Sequence, residues 1–182
     1  MKKLFYLLTV FVLIALFTSC LTVEKKKYTF EITGNNSGTL TINYINIMSA
    51  LDDGNDVSED DFDELIASYL NGDEIEKLYP TAKMLNKRLY EENGVLCGEV
   101  KMSFPDLKSV KLHQFDKKSF YIYVLPACLN NEYYVSSNGQ FANTDVPVVV
   151  WDRKTKILEL ETSVSSTDDN GISLLSNYKS WK

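Results

Sequence analysis

The chain has 182 residues, 45% of them hydrophobic and 24% charged, with a formal net charge of −6 at pH 7. That acidic balance argues against a nucleic-acid partner, which needs a basic patch to displace counterions from phosphates. A single histidine, His113, removes the familiar catalytic and zinc arrangements that require several imidazoles or thiolates at set spacing.

The chain opens with Lys2 and Lys3, then an unbroken apolar run from Leu4 to Phe17, then Thr18-Ser19-Cys20. Such a run covers only about 21 Å as a helix, short of the roughly 30 Å hydrocarbon layer, so it suits the core of a cleaved export signal rather than a membrane span. Leu16-Phe17-Thr18-Ser19-Cys20 resembles the lipobox of bacterial lipoproteins, departing from it at Phe17, where the family carries a smaller aliphatic residue. The resemblance implies cleavage before Cys20, diacylation of that cysteine and stable anchoring, because two acyl chains hold where one is marginal. An ordinary secretory signal that leaves Cys20 as a plain thiol is the alternative.

On this reading residues 1–19 are a cleaved signal peptide, 20–27 a lipidated N-terminus and tether, and 28–182 one domain. Removing residues 1–19 leaves 17 basic and 25 acidic residues, a net charge of −8 on 163 residues. The one dense basic run, Lys25-Lys26-Lys27, reads as a solvated tether near anionic headgroups. Leu21 is not the aspartate that, in the better-known lipoprotein sorting pattern, retains such proteins at the inner membrane. The expected location is therefore the cell envelope, with the outer membrane favoured and the leaflet open.

From Tyr28 to Ile47 the sequence reads as a β-hairpin: Tyr28, Phe30 and Ile32 alternate with polar residues, as do Leu40, Ile42 and Tyr44, around the turn residues Gly34 to Gly38. After an acidic stretch, 52–61, the spacing of Phe62, Leu65, Ile66, Tyr69 and Leu70 predicts an amphipathic helix over about 58–71. Ser58 is its expected N-cap and Asn71-Gly72 its end, with the apolar stripe lying on the sheet. A short helical turn around Ile75 to Tyr79 stops at Pro80.

Residues 81–104 admit two readings, since Leu85 and Leu89 stand at helical spacing while Asn93-Gly94 marks a two-residue hairpin connection. The hairpin is preferred, with Met84–Tyr90 paired to the run Val95 to Met102. Further strands are predicted at Ser119–Leu125, Tyr133–Ser136, Val146–Trp151 and Ile157–Val164, the last two joined as a hairpin across Asp152–Thr155. Leu174, Leu175, Tyr178 and Trp181 predict a short C-terminal helix. The expected fold class is α+β: a single domain built on an antiparallel meander of hairpins, with the 58–71 helix packed on one face.

Chemistry is sparse. His113 has no G-x-S-x-G partner, and the reading for it is a surface or half-buried polar residue. Cys97 and Cys128 lie in a chain expected to be exported, where a disulfide can form if their Cα atoms approach; two buried free thiols is the preferred reading. Asp53 to Asp56 loosely resembles the start of a calcium-binding EF-hand loop. The pattern fails at Leu51, where the first ligand belongs, and at Asp56, which replaces the turn glycine. Tyr121, Tyr123, Tyr133, Tyr134 and Trp151 could form a stacking platform for sugars or peptide, or be ordinary cross-strand glue, the preferred reading.

No catalytic residue, metal site or cofactor is assigned. The expected function is that of a membrane-anchored envelope lipoprotein working as a non-enzymatic binding or accessory protein. Its partners are the membrane through Cys20 and another envelope protein or glycan. The layout of a lipobox, a strand hairpin and an amphipathic helix resembles envelope lipoproteins whose role is not established, which implies a fold and no function. The alternative is a periplasmic or surface hydrolase of polysaccharide or peptidoglycan using a carboxylate pair. A third idea, an apolar ligand between helix and sheet, requires a cavity that a fully packed core does not predict.

Overall fold

The computed structural model of the chain describes residues 20–125, 131–142, 146–164 and 171–182. In chain order these hold β1 (Leu21–Ile32), β2 (Gly38–Ser49), α1 (Ser58–Glu64) running into a π-helical turn (Leu65–Leu70), and α2 (Glu74–Leu78). Next come β3 (Lys83–Glu92), β4 (Val95–Phe104), a 3-10 turn (Leu107–Val110), β5 (Leu112–His113) and β6 (Tyr121–Val124). The chain closes with β7 (Glu132–Ser137), β8 (Gln140–Ala142), β9 (Val148–Trp151), β10 (Ile157–Val164), β11 (Ile172–Ser173) and α3 (Leu175–Trp181).

Local signals in the first half act as expected. β1 and β2 pair antiparallel, and Phe30, Ile32, Leu40 and Ile42 are buried on the alternating positions. Gly38 has to be glycine, because a Cβ there would collide with the carbonyl oxygen of Glu31 across the hairpin. β3 and β4 form the Asn-Gly hairpin, with Asn93 at φ 51° and Gly94 at φ 79°, the left-handed pair of a two-residue connection.

One expectation fails early. Residues 21–27 are not a tether but the first half of β1, so they belong to the folded body expected to begin at 28. Lys25, Lys26 and Lys27 alternate along a central strand: Lys25 meets Glu161, and Lys26 reaches the buried Glu132.

The single meander is also corrected. Two antiparallel sheets form, one in the order β3-β4-β2-β1-β10-β7 with β11 added to β2, the other in the order β5-β6-β9-β8. Val148–Trp151 and Ile157–Leu160 are strands, yet they do not pair with each other. Both edges of β9 are taken by β6 and β8, and both edges of β10 by β1 and β7, so the Asp152–Thr155 turn carries the chain from one sheet to the other.

Asn138-Gly139 makes a second crossing, from β7 to β8. The Asn138 Oδ1 accepts from Trp151 Nε1 at 2.7 Å and from the Glu159 backbone N–H at 2.9 Å, while its Nδ2 donates to the Ile157 carbonyl at 2.9 Å. One amide side chain thereby ties the two sheets together. Beside it the Tyr134 and Phe141 rings stack at 4.0 Å across the same junction.

The larger core cluster joins the sheets, with Tyr123 of β6 5.8 Å from Tyr28 and 5.9 Å from Phe30 of β1, ring centre to ring centre. These rings follow the preferred reading, packing within the fold, and not the stacking-platform alternative: Tyr121, Tyr123 and Trp151 are buried core, Tyr134 is engaged with Phe141, and Tyr133 alone of the five is exposed. A second cluster, Ile47, Phe62, Leu65, Leu96, Leu174 and Tyr178, seats α1 and α3 on the larger sheet. The left-handed Asn46 (φ 57°) divides β2 between the two clusters: Leu40 and Ile42 are buried before it, Ile47 and Ser49 after it.

Candidate functional site

Between the helical segment and the larger sheet lies a cavity of about 280 Å³. Its floor is Val23 of β1, Ile47 of β2, Leu89 of β3 and Val100 of β4; its roof is Leu65 and Leu70 of the π turn and Ile75 and Leu78 of α2. The sequence produces this space in two ways. Gly98, in the middle of β4, has no side chain where a Cβ would stand 3.2 Å from Ile47 Cδ1 and 3.5 Å from Leu89 Cδ2. The helix widens above it: the Asn71 N–H bonds the Ile66 carbonyl at 3.0 Å, a five-residue step that marks a π turn, a form concentrated at functional sites.

Polar groups are few and placed at the sides. Tyr44 and Tyr69 contribute phenols, each held above its ordinary pKa mainly by burial, so both remain neutral at pH 7. Lys87 closes the roof against β3: its Nζ donates to the Gly72 carbonyl at 2.5 Å and pairs with Glu76 at 3.1 Å, with 12% of the side chain exposed. Glu99 is the one carboxylate in the lining, and both of its oxygens accept from Arg88, at 2.9 and 3.0 Å. That guanidinium holds Glu99 below its ordinary pKa. The carboxylate pair of the hydrolase alternative is not assembled in this cavity.

Size and lining decide what such a space can hold. An enclosed apolar cavity of about 150 Å³ lined by aliphatic side chains takes up benzene, and drug-sized sites start near 300 Å³. The chemistry on offer is burial of a small hydrocarbon group, with two phenols to orient a polar end. Sequence reasoning named this place only as a third idea, an apolar ligand between helix and sheet, because Leu65, Tyr69 and Leu70 have the spacing of any core-facing helix, and spacing does not reveal whether the opposing surface fills the gap.

Leu21 and Thr22 extend the same wall toward Cys20. Cys20 belongs to the fold: its carbonyl accepts from the Ala50 N–H at 2.8 Å, and its own N–H donates to Asp61 Oδ1 at 3.2 Å. Asp61 sits in α1 with 5% of its surface exposed, and its other oxygen accepts from Ser49 Oγ at 2.6 Å. Burial, together with the negative charges of Asp61 and Asp52, raises the Cys20 thiol above its ordinary pKa, which opposes formation of a nucleophilic thiolate.

The remaining predicted positions separate. Cys97 is a buried free thiol on β4, and Cys128 lies outside the described residues. His113 is exposed on β5. In the acidic stretch Asp52 and Asn55 bridge each other through their backbones, and the Asp61 side chain turns inward to accept from Ser49. Among the described residues no group of three or more His, Cys, Asp or Glu could hold a metal ion. Ser58 does not cap α1 as expected: Val57 holds that position, and Asp56 Oδ1 accepts the Ser58 N–H at 2.9 Å instead. Among the described residues no helix is long and apolar enough to cross a membrane. Compared with known proteins, the chain matches no family model, no curated protein and no solved structure.

Proposed function

We propose that the chain is a lipid-anchored envelope protein, held through Cys20 with the outer membrane favoured, that binds a small hydrocarbon-bearing ligand between its π turn and its larger sheet. The cavity carries this reading. An apolar ligand that moves from water onto apolar walls gains the burial of its hydrocarbon surface, and these walls are largely aliphatic. The polar lining supports binding over catalysis: two neutral phenols, a carboxylate committed to Arg88, and Lys26 and Lys87, each paired with an acid outside the lining, orient a ligand without supplying an acid–base pair. The lipobox-like run ending at Cys20 supplies the anchor.

The test has two arms. The full chain is produced in a bacterial host with a labelled palmitate analogue, beside Cys20→Ala; label on the first and none on the second supports the anchor, and label on neither overturns it. The purified protein is then titrated with a fluorescent medium-chain alkyl probe, beside Gly98→Leu, whose side chain occupies the cavity. Saturable binding that falls at least about tenfold in the variant supports the ligand, as expected for losing the burial of a few methylenes. Equal binding by both proteins overturns it.

A further inference from the structure

We propose that the loop between β5 and β6 is a membrane-contacting element that inserts Phe115 and Phe120 into the headgroup region of an anionic bilayer. Phe115 is 92% exposed and Phe120 56%, side chains of a size that folded proteins ordinarily bury. Between them stand Lys117 and Lys118, both exposed. Aromatic rings flanked by lysines are the composition of interfacial anchors: the rings enter the acyl boundary and the ammonium groups meet lipid phosphates.

The loop presents these groups from a fixed turn. Asp116 Oδ1 accepts from the Lys118 and Ser119 N–H groups at 2.7 and 2.9 Å, so the one acid of the loop faces its own backbone. Gln114 Nε2 donates to the Ser119 carbonyl at 2.9 Å, closing the base of the loop, and its Oε1 accepts from Asn36 at 3.2 Å. That last contact places the loop at the β1–β2 turn, the opposite end of β1 from Cys20. At about 3.3 Å per residue the two ends of β1 stand roughly 40 Å apart. The loop is therefore a contact separate from the lipid proposed on Cys20, and it stands whether or not Cys20 is acylated.

The experiment reads insertion depth at the loop. Full-length protein carrying Phe115→Trp is reconstituted into vesicles of phosphatidylcholine with 30% phosphatidylglycerol, the lipids brominated on their acyl chains; Tyr133→Trp, at an exposed site away from the loop, is the control. The expected result is strong bromine quenching of the new tryptophan in Phe115→Trp and none in Tyr133→Trp, lost when Lys117→Glu and Lys118→Glu are added and lost in pure phosphatidylcholine. A Phe115→Trp signal that stays accessible to aqueous iodide and unquenched by bromine overturns the proposal, and leaves a protein partner as the occupant of the loop.

Discussion

The Nζ of Lys26 lies 2.8 Å from Oε2 of Glu132, joining β1 to β7 across the intervening β10 over a separation of 106 residues. Glu132 is 1% exposed and its second oxygen accepts from Tyr28 OH at 2.8 Å and from Thr162 Oγ1 at 2.7 Å. A buried carboxylate is tolerated here because three donors replace its water.

Lysine positions 25 and 26 are consequently not equivalent. Lys26→Met leaves the buried Glu132 carboxyl short of a partner, and should cost about 3–5 kcal/mol, the range for breaking one side of a buried pair. Lys25→Met removes a half-exposed contact to Glu161 at 3.6 Å and should change stability by no more than about 1 kcal/mol. Urea unfolding of the two variants side by side distinguishes them, and equal midpoints would show that Glu132 does not depend on Lys26.

Asn138→Ala should lower stability by about 1–3 kcal/mol, because the buried Trp151 N–H then has no acceptor. Asn138→Asp keeps Oδ1 as the acceptor for Trp151 but sets a carboxylate oxygen against the Ile157 carbonyl in place of the donor, so it too should lose stability while the Trp151 bond is kept. The Trp151 near-ultraviolet circular dichroism band provides the second reading: it should weaken in Asn138→Ala before secondary structure does.

The phenols of Tyr28, Tyr79 and Tyr123 are each held above the ordinary tyrosine value, first by burial and then by neighbouring phenols or Glu132. A folded-state pKa raised above the unfolded one means stability is intact below about pH 10. It is lost as the pH rises beyond that, since denatured phenols ionise while folded ones resist. Urea midpoints measured from pH 8.5 to 11 should fall steeply only in the upper part of that range. Tyr79→Phe, which removes one of the three groups, should flatten the fall; a midpoint that is level to pH 11 would contradict the assignment.

What could be read from the sequence was local. Asn93-Gly94 and the alternation of Tyr28, Phe30 and Ile32 each impose a backbone conformation through their own residues and form as expected; the spacing from Phe62 to Leu70 gives a helix as expected, but one that widens to a π turn over Leu65–Leu70. Asp152–Thr155 is a genuine turn by the same local chemistry, with Asp152 Oδ1 accepting the Lys154 N–H at 2.8 Å. Which strand its neighbours pair with was decided elsewhere, by the competition of β1 and β7 for the edges of β10. The same limit hid the tether error: Lys25-Lys26-Lys27 looks like solvated chain until Glu132 and Glu161, more than a hundred positions away, supply partners. It also hid the cavity, which depends on Gly98 lying beneath the π turn.

Because β1 pairs antiparallel with β2 from Leu21 and with β10 from Lys25, any load applied at Cys20 is directed along a strand that is clamped on both sides four residues in. Such a pull shears many ladder hydrogen bonds at once instead of peeling them singly, so mechanical extraction should be slow and governed by the unfolding rate. Under the proposal that Cys20 carries the lipid, the anchor point is in this sense also the stiffest seam: a pull there would meet the whole sheet before it freed one residue.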